Sequence, residues 1–545
     1  MNFSNLHRNK IVYGLNSQEF DLLVIGGGIT GCGIALDAAL RGMKVALIEK
    51  NDFASGTSSR STKLIHGGLR YLKQFEIKLV HDVGSERAVV HRNARHIVIP
   101  EKMLLPIVKD GSLGKNSSSI GLLVYDLLAG VKKDERRKML DRHETLKVEP
   151  LLAFDKLDGG GLYFEYRTDD SRLTIEIAKS AFDKGAALLN YAESKSFIYD
   201  NTKKIVGVKV LDKVANSEFE IRAKTIVNAC GPWVDLLRKE DNSLKGKRLQ
   251  LTKGVHIVFP YEKLPLKQAA YFDVGDGRMI FAIPRNQITY VGTTDTVYNQ
   301  NLDKPQCNTE DAQYLLNATN KMFPTVSLKK KDIVSSWAGL RPLIYEEGKS
   351  ASELSRKDEI LVSPSGLISI AGGKLTGYRL MAEKIVDLVS KKLNKDFGKC
   401  KTKKFRVSGG EFKNEEDFKQ SLEQFLEKGK RADIPAEKIR EWFFRFGTNT
   451  DKLLEIVEAL RRKTSEEQKV FETAELIYCV ENEMVLHLTD FLVRRTGKIF
   501  FDRINAEKQI DYLNGLLSTK LQIEETVSKK DLEETKTEFS AAVDF

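Results

Sequence analysis

DLLVIGGGITGCGIALDAALRGMKVALIE, residues 21–49, is the stretch on which the fold turns. Residues 21–25 form a short apolar run that predicts a strand, and apolar helical spacing then runs from about Ile29 to Arg41 until Gly42 stops it. Residues 44–48 predict the next strand, with Glu49 at its end. Between the first strand and the helix, Gly26-Gly27-Gly28-Ile29-Thr30-Gly31 has the G-x-G-x-x-G spacing. In that setting Gly26 permits the tight turn, Gly28 lets the backbone approach a pyrophosphate, and Gly31 lets helix and strand pack closely. The helix N-terminus offers N–H groups and the positive end of its dipole to the anion. Glu49 stands where a carboxylate can accept ribose hydroxyls. The glycine spacing alone is a weak signal, and a merely structural turn is its rival. Strand, helix and acid together favour dinucleotide binding, without separating NAD from FAD.

Working outward, two more apolar strands end in small-residue turns. Residues 225–228 run into Ala229-Cys230-Gly231-Pro232, and residues 367–371 run into Gly372-Gly373 and a helix to about Leu388. Such turns spread over a long stretch of chain predict one α/β domain with another domain inserted between its parts. Residues 255–259, 279–283 and 288–291 in the interposed region alternate in the manner of strands. Beyond a basic linker at 391–405, Phe418, Leu422, Phe425 and Leu426 recur at helical intervals, as do Ile439, Trp442, Phe443 and Phe446. The expected layout is an arm at 1–20, a discontinuous dinucleotide-binding domain at 21–100, 160–235 and 355–395, a β-sheet substrate cap at 101–159 and 236–354, a helical domain at 400–520 and a charged, frayed tail at 524–545.

A chain of 545 residues, 41% apolar and 8% aromatic, is long enough for two or three globular domains. No stretch approaches the roughly 20 apolar residues of a membrane-spanning helix. The N-terminus lacks the apolar core of a secretory signal. Five cysteines without a C-x-x-C pair argue against a zinc site or a disulfide framework, so no metal is expected. The net charge of +11 reads first as a solvated basic face, then as affinity for acidic lipid or an anionic substrate. No nucleic-acid motif accompanies it, and no nucleic-acid partner is expected.

The cofactor is argued from a second stretch, Thr57-Ser58-Ser59-Arg60-Ser61-Thr62-Lys63-Leu64-Ile65-His66-Gly67-Gly68-Leu69-Arg70-Tyr71. Its hydroxyls follow directly on the ribose acid and supply donors near a pyrophosphate, and Gly67-Gly68 lets backbone come close to a flat ring. A surface loop rich in serine and threonine would not be interleaved with Leu64, Ile65, Leu69 and Tyr71. A turn at Gly372, Gly373, Lys374, Leu375 and Thr376 would bring N–H groups to a ring that becomes anionic on reduction.

With the runs at 26–31 and 58–71, Asn228-Ala229-Cys230-Gly231-Pro232-Trp233, Lys253-Gly254-Val255-His256, Gly339-Leu340-Arg341-Pro342 and Gly372–Thr376, the chain resembles the FAD-dependent, quinone-linked glycerol-3-phosphate dehydrogenases. Arg60, Thr62 and Gly377 depart modestly from that pattern. The resemblance implies an α/β Rossmann-type FAD-binding domain of the D-amino-acid-oxidase type, a β-sheet cap and a C-terminal helical domain. It implies FAD contacts from Gly26, Gly28, Gly31, Glu49, Ser58, Ser59, Lys63, His66, Gly67, Gly68, Gly231, Gly373, Lys374, Leu375 and Thr376. The expected reaction is oxidation of sn-glycerol 3-phosphate to dihydroxyacetone phosphate, with electrons passed to a membrane quinone. A peroxide-forming glycerol-3-phosphate oxidase, or an amine or hydroxy-acid oxidase of the same fold, is the alternative.

A phosphorylated polyol needs fixed positive forks, which arginine supplies bidentately. Arg70, Arg341 and Arg356, with Tyr71 and Lys374, are the candidate substrate-binding residues; a lone arginine is more often a surface residue. His256, in a strand-like stretch, is the candidate base, with Arg341 and Lys374 as catalytic partners and His66 as the alternative base. The plainer reading of His256 is a core histidine bonded to backbone. A peripheral enzyme on the cytoplasmic side of the inner membrane, or in the cytoplasm, is expected, with a homodimer as the oligomeric expectation. The apolar stretch 120–131 beside Lys132, Lys133, Arg136 and Arg137 is the candidate membrane contact.

Overall fold

The computed structural model describes residues 2–66, 77–109, 136–345, 358–462 and 467–545, with backbone alone for 77–81, 154, 467 and 468. The stretch 21–49 folds as its pattern predicts: strand Leu22–Ile25, helix Ile29–Leu40 and strand Val45–Ile48. The strands are buried on both faces, which suits apolar runs covered by helices on either side. They belong to a sheet ordered Glu359–Val362, Ile368–Ala371, Ile226–Asn228, Leu22–Ile25, Val45–Ile48, Ala187–Leu189. All neighbours run parallel except the antiparallel edge strand Glu359–Val362. The three glycine turns therefore open at the carboxyl ends of three adjacent strands, where α/β sheets bind ligands.

A second, larger sheet forms the cap. The strand Leu249–Pro260 lies between Met279–Arg285's neighbour Ile288–Gly292 and the strand Ser335–Ile344, antiparallel to both. The strands Leu64–Ile65, Ile99–Val108 and Leu157–Arg167 also join this sheet. The boundaries expected at 100 and 160 thus fall inside cap strands. Alternation alone cannot tell which sheet a strand will join, because that depends on its partner.

The helical region carries helices Glu415–Arg431, Ala436–Phe446, Thr450–Arg461, Glu467–Asn482 and Ile510–Leu521. Phe425, Ile439, Trp442, Phe443 and Phe446 are buried in its core, as their spacing requires. Gly429 allows the first two helices to close, since a Cβ there would stand 2.3 Å from Ile439.

Both ends of the chain depart from expectation. The N-terminal arm forms the helix Arg8–Asn16, with Phe3, Ile11 and Leu15 buried. Arg8 pairs with Asp212 at 2.8 Å, and Ser4 Oγ donates to the carbonyl of Val480 at 2.6 Å, so the arm ties the dinucleotide domain to the helical one. The tail forms the helix Glu525–Ala541, with Phe539 only 1% exposed. The arm's outcome is not visible locally, because its partners lie hundreds of residues away.

The dinucleotide and helical domains meet through buried charge. Asp52, three residues beyond Glu49, takes Arg494 at 2.6 Å and Arg495 at 2.7 Å. Consecutive residues of an ordinary helix point about 100° apart. A π-helical turn at Asp490–Arg495 lets both guanidinium groups converge on one carboxylate. Glu483 continues the network, accepting from Arg172 at 2.6 Å and Lys179 at 3.1 Å.

Candidate active site

A cavity of about 420 Å³ runs from the glycine turns to the cap. At one end it is lined by Gly26, Gly28, Glu49, Ser58 and Gly231; further in by His66, Gly373, Lys374, Leu375 and Thr376; at the cap end by His256 and Arg341. The fold thus brings together residues separated by some 350 positions of chain. Gly67, Gly68, Arg70, Tyr71 and Arg356, and the stretch 120–131 with Lys132 and Lys133, lie outside the described residues.

Two glycines of the first turn are sterically required. A Cβ at Gly31 would stand 1.9 Å from the carbonyl oxygen of Gly26, and one at Gly26 (φ +113°) would stand 2.6 Å from the oxygen of Ala229. Gly31 is therefore a packing residue behind the cavity wall. Gly31→Ala is expected to drive the helix off the turn, so that the protein purifies without bound dinucleotide. Absorbance of the purified protein checks this, and full cofactor occupancy would contradict it.

Glu49 holds the turn from the far side. Its carboxylate accepts from Gly27 N–H at 2.7 Å and Asn51 N–H at 2.9 Å, while burial pushes its pKa upward. Ser58 Oγ accepts from Ile29 N–H at 2.9 Å and so caps the helix that begins at Gly28, which has no side chain to do it. The glycine turns, the open helix end and the acid at the strand terminus fit a dinucleotide. At the opposite turn, a Cβ on Gly373 (φ +82°) would stand 2.4 Å from Met381 Sδ, so the backbone there also needs glycine to come close to the cavity.

Two hydroxyl-run residues have other work. Ser59 is buried off the cavity, with Oγ donating weakly to Gly56 O at 3.4 Å. Lys63 (φ +58°) turns inward rather than toward the cavity: its ammonium donates to Asp170 at 2.6 Å and to Ser59 O at 2.9 Å, beneath the rings of Trp337, Phe500 and Phe501. As a direct cofactor contact Lys63 is therefore corrected to a buried prop. Its partner Asp170 sits at the start of the helix Asp170–Asp183, too far along the chain for the sequence to reveal the pair.

At the cap end His256 is 1% exposed. Its ring stacks on Trp337 at 4.8 Å and 12°, and Nε2 lies 3.0 Å from Thr62 Oγ1, which itself lines the cavity. Gly292, opposite on the next strand, makes room: a Cβ there would come within 2.2 Å of the imidazole. Burial, then the positive charges of Arg341 and Lys63, hold the His256 pKa well below 6.5. The ring is therefore neutral at neutral pH. This is not a core histidine bonded to backbone; its partner is a cavity hydroxyl. Arg341, on the adjacent strand, is set by Thr293 Oγ1 at 2.8 Å, Thr294 O at 3.1 Å and Asp295 at 3.1 Å. His66 also lines the cavity, its carbonyl accepting from Thr376 Oγ1 at 3.1 Å.

Thr62, Trp233 and Lys50 belong to the wall although none of them is among the expected cofactor or substrate contacts. Trp233 packs over Gly56, and Lys50 lies 4.6 Å above its ring. The Gly-Pro-Trp motif marked the first, but nothing local marks a threonine that meets a histidine far along the chain. Among the described residues no helix is long and apolar enough to cross a membrane, and no cluster of side chains could hold a metal ion.

The FAD-dependent oxidoreductase family model matches residues 21–379, and that of the C-terminal domain of alpha-glycerophosphate oxidase matches 400–527. The chain is 52% identical over 536 residues to the aerobic glycerol-3-phosphate dehydrogenase of Bacillus subtilis (strain 168), covering 97% of this chain and 96% of that one. A solved glycerol-3-phosphate dehydrogenase from Bacillus halodurans, complexed with FAD, superimposes with a TM-score of 0.87 at 43% identity, covering 99% of both chains. The L-alpha-glycerophosphate oxidase of Mycoplasma pneumoniae (18% identical, TM-score 0.56, covering 72% of this chain and 99% of that one) shares the fold. Glycine turns, cap and helical domain are thus accounted for together: the chain belongs to the FAD-dependent oxidoreductases, within the family of aerobic glycerol-3-phosphate dehydrogenases.

Proposed function

We propose that this chain oxidises sn-glycerol 3-phosphate to dihydroxyacetone phosphate and hands the electrons to a membrane quinone. The observation that carries the reading is the cap end of the cavity, where a neutral, buried imidazole and a fixed guanidinium share one chamber with the turn at Gly372–Thr376. FAD, held by Gly26, Gly28, Glu49, Gly231 and Gly373, supplies the two-electron acceptor for the hydrogen that leaves the substrate carbon.

The protein's own part is positioning and proton transfer. Arg341 and Lys374 bind the oxygens of the substrate, with Arg70, Tyr71 and Arg356 completing the phosphate clamp. His256 takes the hydroxyl proton at Nε2, the nitrogen that faces Thr62 at the cavity wall. Its depressed pKa keeps the imidazole neutral at neutral pH.

The test is anaerobic rapid mixing of the holoenzyme with substrate, followed by reoxidation with quinone or with oxygen. Bleaching of the flavin by glycerol 3-phosphate but not by amino acids is expected, with faster reoxidation by quinone. Bleaching by amino acids alone would overturn the reading, and preferential reoxidation by oxygen would make the protein an oxidase. Arg341→Ala is expected to raise the KM for glycerol 3-phosphate by about 10–100-fold, the loss of a charge-assisted pair. An unchanged preference for glycerol 3-phosphate over glycerol would remove Arg341 from the clamp. The membrane side of the proposal is checked by flotation with anionic liposomes, where retention in the soluble fraction counts against it.

A further inference from the structure

The C-terminal helix Glu525–Ala541 ends at the substrate chamber. Glu538 pairs with Arg60 at 3.2 Å, the carbonyl of Ala542 accepts from Ser336 Oγ at 2.8 Å, and Phe545 lies against Lys330, with the ammonium 5.3 Å from its ring. Ser336 directly precedes Trp337, the residue stacked on His256, on the strand that also carries Arg341. Arg60 lines the cavity, and its backbone packs against Gly339, where a Cβ would stand 2.3 Å from the Arg60 carbonyl oxygen. Its guanidinium is held by Glu538 and by the carbonyl of Pro305 at 3.4 Å, while its buried Nε–H has no hydrogen-bond partner among the described residues. A buried guanidinium donor without an acceptor is costly, so this arginine is incompletely paired where it borders the cavity. This helix lies almost wholly beyond the residues matched by the family model, which ends at 527.

We propose that Arg60 is a further anion-binding residue of the substrate chamber, and that Glu538 of the C-terminal helix is its resident counter-ion and sets the chamber's affinity for a phosphate monoester. The proposal rests on the reading of the substrate given above. Arg60 offers its partly exposed guanidinium to the incoming anion, which competes with the Glu538 carboxylate for the fork. Because Pro305 still holds Nη1 when Glu538 is neutralised, removal of that carboxylate leaves Arg60 in place and makes the chamber more positive. The side chain of Glu538 is 41% exposed, so its replacement leaves the fold alone.

The test uses the full-length FAD holoenzyme, with inorganic phosphate as competitor, in wild type, Arg60→Gln, Arg60→Lys, Glu538→Gln and the double glutamine variant. Arg60→Gln is expected to raise both the KM for glycerol 3-phosphate and the inhibition constant of phosphate about tenfold, with Arg60→Lys between it and wild type. Glu538→Gln is expected to lower both constants about threefold, and to act less than half as strongly when Arg60 is already glutamine. An unchanged phosphate inhibition constant in Arg60→Gln, or an equal effect of Glu538→Gln in both backgrounds, overturns the proposal. So does a loss of bound FAD that accounts for the change. If glycerol 3-phosphate fails to bleach the wild-type flavin, the functional reading falls by itself. Titration of the flavin absorbance with inorganic phosphate then decides whether Arg60 and Glu538 set anion affinity, and an absent or variant-independent response overturns that as well.

Discussion

His256→Asn is expected to slow flavin bleaching by glycerol 3-phosphate by about 10²–10⁴-fold, the usual contribution of a positioned general base. Asparagine can still offer a polar group to Thr62, so the cavity wall is disturbed little and substrate binding should change much less than the rate. The wild-type profile follows from the same environment. Burial, with Arg341 and Lys63 nearby, lowers the pKa well below 6.5, so protonation closes the lone pair only at acid pH. The rate should therefore be flat from pH 6.5 upward as far as His256 is concerned, and fall as pH drops through the depressed pKa. Stopped-flow bleaching across pH measures both. A rate within threefold of wild type would move the base elsewhere, with His66 next in line, since it lines the same cavity.

The largest stability effect is expected at Glu483, far from the chemistry. Its side chain is fully buried between Arg172 and Lys179, while its backbone carbonyl accepts from Arg495 at 2.7 Å. Burial alone would raise its pKa, but the charges of Arg172 and Lys179 outweigh that and hold it below 4.5. Glu483→Gln removes one of two buried counter-charges and leaves Arg172 and Lys179 to share Glu176 alone, one cation in excess in the interior, at a cost of about 3–5 kcal/mol. Because Arg495 continues to Asp52, in the loop between Glu49 and Ser58, weaker retention of FAD should accompany a lower melting temperature. Thermal scans and the flavin-to-protein ratio check this, and an unaltered melting temperature would show that the network does not carry the interface. The carboxylate's contribution is present above pH 4.5, its ordinary value, and is lost as pH falls through the depressed one.

How much of this was legible beforehand depends on the distance over which each feature is encoded. The strand–turn–helix at 21–49, the glycine turns at 231 and 373, and the apolar stripes of the helical domain could be read directly. Each follows from neighbours within a few residues: spacing, backbone freedom and a strand end. His256 could be chosen as a candidate from the run at 253–256, but its neutrality could not. That comes from burial against Trp337 and from the charges of Arg341 and Lys63, all distant from it in the chain.

Lys63 shows the limit most clearly. Within a hydroxyl-rich run that lines the cavity it reads as a cofactor contact, yet a left-handed backbone turns it toward Asp170 and away from the cavity. The two chain ends make the same point, since Arg8 needs Asp212, Glu538 needs Arg60, and no local pattern announces either partner. By itself, then, the amino-acid order determined the dinucleotide cradle, the helical domain and the family, because those depend on short-range geometry and on motifs. Only the tertiary structure decided which charges face the cavity and which are buried as props. Burial and Coulomb interaction depend on what lies nearby in space, and most of those neighbours are distant in the chain.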